Sequence, residues 1–247
     1  MKNLLTFGCS FTDNDAEKMV HGKYIEPYKT WPVELARLTN SNPVCKGRGG
    51  VGNFYISNKV YETIDDPSTY SSTVKVYETI DDSDNSVVIV MWSGIDRVDI
   101  AVSSKEQFYF IDERRDDVND WLHSGGNNPI KKHFNDYYKT YHTEEDSYLK
   151  TLQHIIGVQE FLSNRNIPYL FLTYMDIFTD RYRKYKRAKN LENHINWNKF
   201  HFPNGKFGGM EEWVGDNNFT YLQDGHPTPE SHRKFAEYLY NLEELQK

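Results

Sequence analysis

Cysteine is nearly absent from the chain. Two occur in 247 residues, Cys9 and Cys45, and neither stands in a paired spacing such as Cys-x-x-Cys. A disulfide framework and a thiolate zinc site are therefore not expected, and a reducing compartment is allowed. Long apolar runs are missing as well. The longest, Val87 to Trp92 and Tyr169 to Leu172, fall far short of the roughly 20 residues that span a bilayer. No transmembrane helix and no Sec-type leader is read, so a cytoplasmic location is expected. Nor is there an excess of positive charge. Lys and Arg number 29 against 36 Asp and Glu, a net charge of −7, which argues against a duplex-binding protein. Ligand spacing for a metal is lacking too: His123, His133, His142 and His154 lie nine to twelve residues apart. Neither a metal nor another cofactor is expected, although Asp13-Asn14-Asp15 offers a cation-binding alternative to a solvated loop.

What is present fits one large globular domain over residues 1–247, with 38% hydrophobic and 15% aromatic residues. Leu4 to Phe7 is short, apolar and followed at once by Gly8, as in a buried strand ending in a sharp turn. Thr30 is placed to cap a helix over Trp31 to Leu38, and Asn42 to Cys45 reads as a strand entering the glycine-dense loop Gly47-Arg48-Gly49-Gly50-Val51-Gly52. Val87 to Trp92 shows no polar alternation, so as a strand it must be covered on both faces, as in a parallel sheet between helical layers. Glu144 to Arg165 has Tyr148, Leu149, Leu152, Ile155, Ile156 and Leu162 mostly three or four apart, the pattern of a helix with one buried face. Pro168 to Thr173 is the next strand, and Thr228 with Pro229 starts a last helix. Strand and helix in alternation predict an α/β fold, a three-layer α/β/α sandwich around a doubly wound parallel sheet.

Three segments fall outside this alternation. Lys59 to Asp66 recurs identically as Lys75 to Asp82, a local duplication too small for a solenoid, which needs about three units. Residues from Arg97 to His142 carry Trp121 and many tyrosines and phenylalanines without a long periodic run, and are expected to form an insertion over the sheet that contributes to a pocket rim. Arg181 to Lys189 holds six basic residues, expected to be a solvated helix face rather than a polyanion site.

The chemistry is carried by separated motifs. In Phe7-Gly8-Cys9-Ser10-Phe11-Thr12 a serine follows the first strand in a glycine turn, at the strand end where such sheets bind ligands. A serine becomes a nucleophile only when a base accepts its proton, and Asp224-Gly225-His226-Pro227 offers both a base and a carboxylate to orient it. Cys9 is the alternative nucleophile; side chains of adjacent residues diverge, so only one of the pair is expected to face His226. Taken singly, Ser10 reads as a turn residue and Asp224-Gly225 as a turn dipeptide. The glycine loop has neither the ending of a P-loop nor a Gly-x-Gly-x-x-Gly pattern.

Together the segments resemble the SGNH, or GDSL-like, hydrolase superfamily, in an order of four blocks covering most of the chain. The resemblance implies a flavodoxin-like sandwich whose nucleophile is Ser10. The first block, usually Gly-Asp-Ser, is Gly8-Cys9-Ser10 here. Gly49-x-x-Gly52-Asn53 is similar to the second, which assigns an oxyanion-hole amide to Gly52. The third, Gly-x-Asn-Asp, is matched by Ser93-Gly94-Ile95-Asp96, so the oxyanion asparagine is missing. The fourth places Asp three residues before His; here Asp224 stands two before His226, and His232 resembles the family's ending. The likeness extends to divergent members encoded by tailed phages, which would place the chain in a host cell or a virion.

On this reading Ser10, His226 and Asp224 form a triad, and the amides of Ser10 and Gly52 with the Ser93 hydroxyl form the oxyanion hole. Asn53, Trp92, Asp96 and Trp121 are expected to contact substrate. Losing one oxyanion donor costs about 10²- to 10³-fold in rate, which Ser93 is expected to offset in part. The expected activity is hydrolysis of a carboxylic ester, with an O-acylated carbohydrate favoured because tyrosine and tryptophan stack on sugar faces. A non-catalytic binding module and an O-acyltransferase using the same triad are the alternatives.

Overall fold

The computed structural model describes residues 3–14, 19–20, 23–24, 28–65, 86–101, 121–124, 131–205 and 207–245. Its frame is a four-stranded, wholly parallel sheet. Strand β1 covers Asn3–Gly8, and a short antiparallel pair follows, β2 Met19–Val20 with β3 Lys23–Tyr24. Helix α1 is Trp31–Thr39, β4 is Asn42–Gly47, α2 is Asn53–Asp65 and β5 is Ser86–Trp92. A second ribbon joins β6 Asp99–Ala101 to β7 Trp121–His123. Helices α3 Lys131–Thr140 and α4 Glu144–Ser163 precede β8 Tyr169–Thr173. The short helices α5 Asp180–Arg183, α6 Lys186–Glu192 and α7 Met210–Asp216 lead to α8 Pro229–Tyr240.

The sheet order is β4-β1-β5-β8, the order 2-1-3-4 among its own strands. The chain moves to one side of β1 through α1 and to the other through α2, so a crevice opens at the carboxyl ends of β1 and β5. Helix α1 packs with α8, and α2 packs with α4, giving the two outer layers of an α/β/α sandwich. That is the expected fold class, and its cause is legible in β5. Val88, Ile89, Val90, Met91 and Trp92 are all buried because helices cover both faces.

The helix starts differ from expectation in one respect. Thr30 occupies the N-cap of α1, yet its hydroxyl makes no capping bond; instead the Trp31 amide donates to Nδ1 of the buried His232 on α8 at 3.3 Å. The α1 terminus is thus satisfied across the layer, and His232 serves as a helix-to-helix tie. Thr228 does cap α8, its hydroxyl accepting from the Ser231 amide. On α4 the buried face includes Gln159, whose amide accepts from the Asn196 N–H and donates to the His194 carbonyl.

The first copy of the duplicated octapeptide, through Asp65, lies on α2, while the second lies outside the described residues. Much of the aromatic insertion does too; its described parts are β6, β7 and α3 with their flanks. The basic stretch spans α5 and α6, where Arg181 pairs with Glu144 and Arg183 with the buried Glu192. No helix of the described residues is long and apolar enough to cross a membrane.

Candidate active site

The turn after β1 is built by close backbone approach. The amides of Thr12 and Asp13 both return to the Cys9 carbonyl, at 2.8 and 3.1 Å, which coils Cys9 to Asp13 into a single turn. Gly8 is required there, since a Cβ would stand 2.3 Å from Thr12 Oγ1. Gly47, at the end of β4, is required for the same reason: a Cβ would stand 2.5 Å from the Thr12 carbonyl carbon. The glycine loop closes over this turn. The Gly49 amide donates to Asp13 Oδ2 at 2.9 Å, and a Cβ on Gly49 would stand 3.9 Å from Ser10 Cβ. Cys9 is fully buried, and Ser10 is 6% exposed.

From the far end of the chain, Asp224 and His226 arrive on a tight turn that Gly225 enters at a φ of +82°, a conformation glycine adopts without strain. The turn is closed by the Leu222 amide on the His226 carbonyl at 2.7 Å. One carboxylate faces both the backbone and the ring of His226. Asp224 Oδ1 accepts the His226 amide at 3.1 Å, and Oδ2 lies 3.0 Å from Nδ1 of the ring. The imidazole then rests 5.5 Å from the ring of Phe11, the residue directly after Ser10. The β1 turn and the Asp-x-His turn, at opposite ends of the sequence, are therefore neighbours. Tyr28, which the sequence did not single out, joins them: burial, then the charges of Asp224 and Asp13, push its hydroxyl up to about 12. Its ring lies 5.8 Å from His232.

Several expected site residues have other work. The Gly52 amide donates to Asp99 Oδ1 at 2.8 Å, and the Ser93 hydroxyl donates to the Val51 carbonyl at 2.9 Å, so in this arrangement neither is turned to an oxyanion. Asn53 is buried and ties α2 to the end of β5: its carboxamide accepts the Ser93 amide at 2.7 Å and donates to the Ser93 carbonyl at 3.0 Å. Trp92 is fully buried against Phe171 and belongs to the core. The second and third motifs bind each other, because the end of β5 and the start of α2 must satisfy their own polar groups away from water. Asp96 is exposed, its carbonyl accepting from the Tyr138 hydroxyl. Trp121 packs edge-on against Phe54 and Tyr55 at 5.1 and 5.5 Å.

Sequence reading also missed Asp99. Its side chain is fully buried, with Oδ1 taking the Gly52 amide and Oδ2 the Tyr55 amide at 2.8 Å, so it caps α2 from the start of β6. His123, directly opposite it in the β6–β7 ribbon, places Nδ1 2.9 Å from Oδ1. The signal was an acid and an imidazole on two short segments whose pairing only the ribbon creates. Arg97 was likewise passed over. Its guanidinium donates to the Val51 carbonyl at 3.2 Å and lies 5.3 Å from the centre of the Tyr174 ring. Burial works against its charge, but Cys9, Tyr174 and Asp96 together hold it above the ordinary arginine value.

Among the described residues no group of three or more His, Cys, Asp and Glu side chains converges as a metal site. No family model matches the sequence, and no curated protein sequence matches it. Solved structures do. The chain is similar to a G-D-S-L family lipolytic protein from Desulfitobacterium hafniense, at 11% identity, a TM-score of 0.41, and 97% and 98% coverage of the two chains. A second G-D-S-L family lipolytic protein, from Veillonella parvula, is similar at 11% identity and a TM-score of 0.46, with 98% of each chain covered. An acetyl xylan esterase from Butyrivibrio proteoclasticus is similar at 14% identity and a TM-score of 0.45, over 97% of this chain and 62% of that one.

Proposed function

We propose that the chain is a serine hydrolase of carboxylic esters, with Ser10 as nucleophile, His226 as base and Asp224 as the carboxylate that orients it. The observation that carries the reading is the meeting of two turns. His226, its amide bonded to Asp224 and its ring nitrogen 3.0 Å from the same carboxylate, stands against Phe11 next to Ser10, at the crevice of a parallel sheet. A neutral imidazole whose Nδ1–H is fixed by a carboxylate offers Nε2 as a proton acceptor.

The steps then follow. Ser10 Oγ forms a bond to the ester carbonyl carbon as its proton passes to His226, and the carbonyl π electrons move onto oxygen. That oxyanion is met by the Ser10 amide. Collapse re-forms the carbonyl and breaks the bond to the alcohol, which leaves with the proton from His226. Water, deprotonated by the same imidazole, repeats the sequence on the acyl-serine and releases the acid. Asp224 stabilises the imidazolium at each stage without taking its proton.

An O-acylated carbohydrate is the substrate class we favour. Its support is the aromatic pair beside the glycine loop: the exposed Phe54, two residues after Gly52, packs at 5.1 Å against the partly exposed Trp121. Flat aromatic faces suit a sugar ring.

The test is intact mass after exposure to a fluorophosphonate. One adduct is expected on the native chain and none on Ser10→Ala or His226→Ala. A folded native chain that stays unmodified would overturn the reading and turn the search towards a non-catalytic ligand-binding role.

A further inference from the structure

The sequence lacks the third-block asparagine; Ser93, expected to stand in for it, gives its hydroxyl to the Val51 carbonyl, and the second-block amide of Gly52 donates to Asp99. A tetrahedral intermediate on Ser10 would therefore be short of donors. Arg97 lies at the same edge of the sheet. Beyond Trp92 the chain turns through Ser93 and Gly94 and returns Arg97 to the carboxyl edge of the sheet, where a Cβ on Gly52 would meet its backbone oxygen at 2.7 Å. Its guanidinium lies between three elements. It donates to Val51 O in the glycine loop, faces the Tyr174 ring just after β8, and is close enough to Cys9, the residue before Ser10, for the two to interact electrostatically. Tyr174 in turn packs at 5.1 Å on Phe11, whose other neighbour is His226.

Asp96 favours the charge of Arg97 from a distance, but among the described residues the guanidinium makes no close ion pair, although Arg181 and Arg183 each find a carboxylate. A partly buried cation without a close carboxylate is free to meet a charge that develops beside it. A guanidinium carries five N–H donors, and the Val51 carbonyl takes one of them.

We propose that Arg97 is a catalytic residue that completes the oxyanion hole, donating to the negative oxygen that develops when Ser10 adds to the ester carbonyl. No proton leaves the guanidinium. The π electrons of the carbonyl move onto oxygen, the arginine balances that charge with the Ser10 amide, and the charge is withdrawn when the alcohol departs with the proton from His226. This rests on the serine hydrolase reading above.

The experiment uses the full chain with p-nitrophenyl acetate, a small neutral ester that carries no anionic group for an arginine to anchor. Arg97→Ala is expected to lower kcat about 10²- to 10³-fold with KM nearly unchanged, as for loss of one oxyanion donor. Added guanidinium ion, below denaturing concentration, is expected to restore part of the rate in Arg97→Ala and none in Ser10→Ala. Arg97→Gln, which keeps a donor for Val51 O, guards against misfolding and is expected to show the same fall in kcat with a native melting profile. Native kcat in a folded Arg97→Ala or Arg97→Gln would overturn the proposal, while fluorophosphonate labelling of Ser10 left the hydrolase reading standing. A change in KM alone, confined to anionic esters, would overturn it in favour of a substrate anchor. No turnover and no labelling of the native chain would overturn both.

Discussion

Asp99 Oδ1 accepts the backbone amide of Gly52 at 2.8 Å, joining two segments 47 residues apart. The same carboxylate takes the Tyr55 amide and faces Nδ1 of His123, so a single buried side chain holds the first turn of α2, the glycine loop and the β6–β7 ribbon together. Replacing it leaves two helix amides and one imidazole without a partner. Asp99→Ala is expected to cost about 3 kcal/mol, with Asp99→Asn costing less because its carbonyl still accepts one amide. Urea unfolding of the two variants against the native chain measures this, and equal stability would show that the contact contributes nothing.

On the proposed reading Asp224 acts on the chemistry rather than on the fold. It bonds the His226 amide and faces its ring, and about a quarter of its side chain is exposed. Asp224→Asn is expected to leave the melting temperature within experimental error while lowering kcat about 10²- to 10⁴-fold, because the amide no longer stabilises the imidazolium. Steady-state kinetics on a simple acetate ester, with a thermal melt of the same sample, separates the two effects.

Gly47 is where loop packing and activity meet. Its added Cβ would strike the carbonyl carbon of Thr12, a backbone atom of the turn that carries Ser10 and has no rotamer to change. Gly47→Ala is expected to destabilise the chain by about 1–3 kcal/mol and to slow ester turnover at temperatures where it remains folded. A folded Gly47→Ala with native turnover would mean that the turn tolerates displacement.

His154 gives the chain a pH-dependent stability. Ser57 Oγ lies 3.2 Å from its Nδ1 and Phe54 stacks on its ring at 5.4 Å. Burial holds its pKa below the ordinary 6.5, Asp99 opposing and Lys150 reinforcing that shift. Below that value the unfolded chain binds more protons than the folded one, so this contribution is whole above 6.5 and declines as pH falls through the folded pKa. Between about pH 7.5 and about pH 5.5 the native Tm is expected to fall more steeply than that of His154→Gln. Parallel slopes would assign the acid sensitivity elsewhere.

Much of this architecture was written locally. The apolar stretch of β5 lacks alternation because both of its faces are covered, and Thr228-Pro229 starts α8 because cap and ring geometry act within one turn. The glycines of the β1 turn and the loop after β4 were legible for the same reason, since a missing Cβ is a property of single residues. The Asp224–His226 contact spans two positions and so was visible as spacing.

Long-range partnership was not. Thr30 looked like a cap by residue type, yet His232, from the other end of the chain, satisfies the α1 terminus. Ser93 and Gly52 looked like oxyanion donors by motif position, but Val51 and Asp99 take their hydrogen bonds. Asp99, His123, Tyr28 and Arg97 gained their roles only where the ribbon and the sheet edge brought them to their partners. Residue type and spacing thus determined the elements and which groups were available for chemistry. Only the tertiary structure decided which of those groups are consumed in holding the fold, because a polar group withdrawn from water must bond to whatever the packing places beside it.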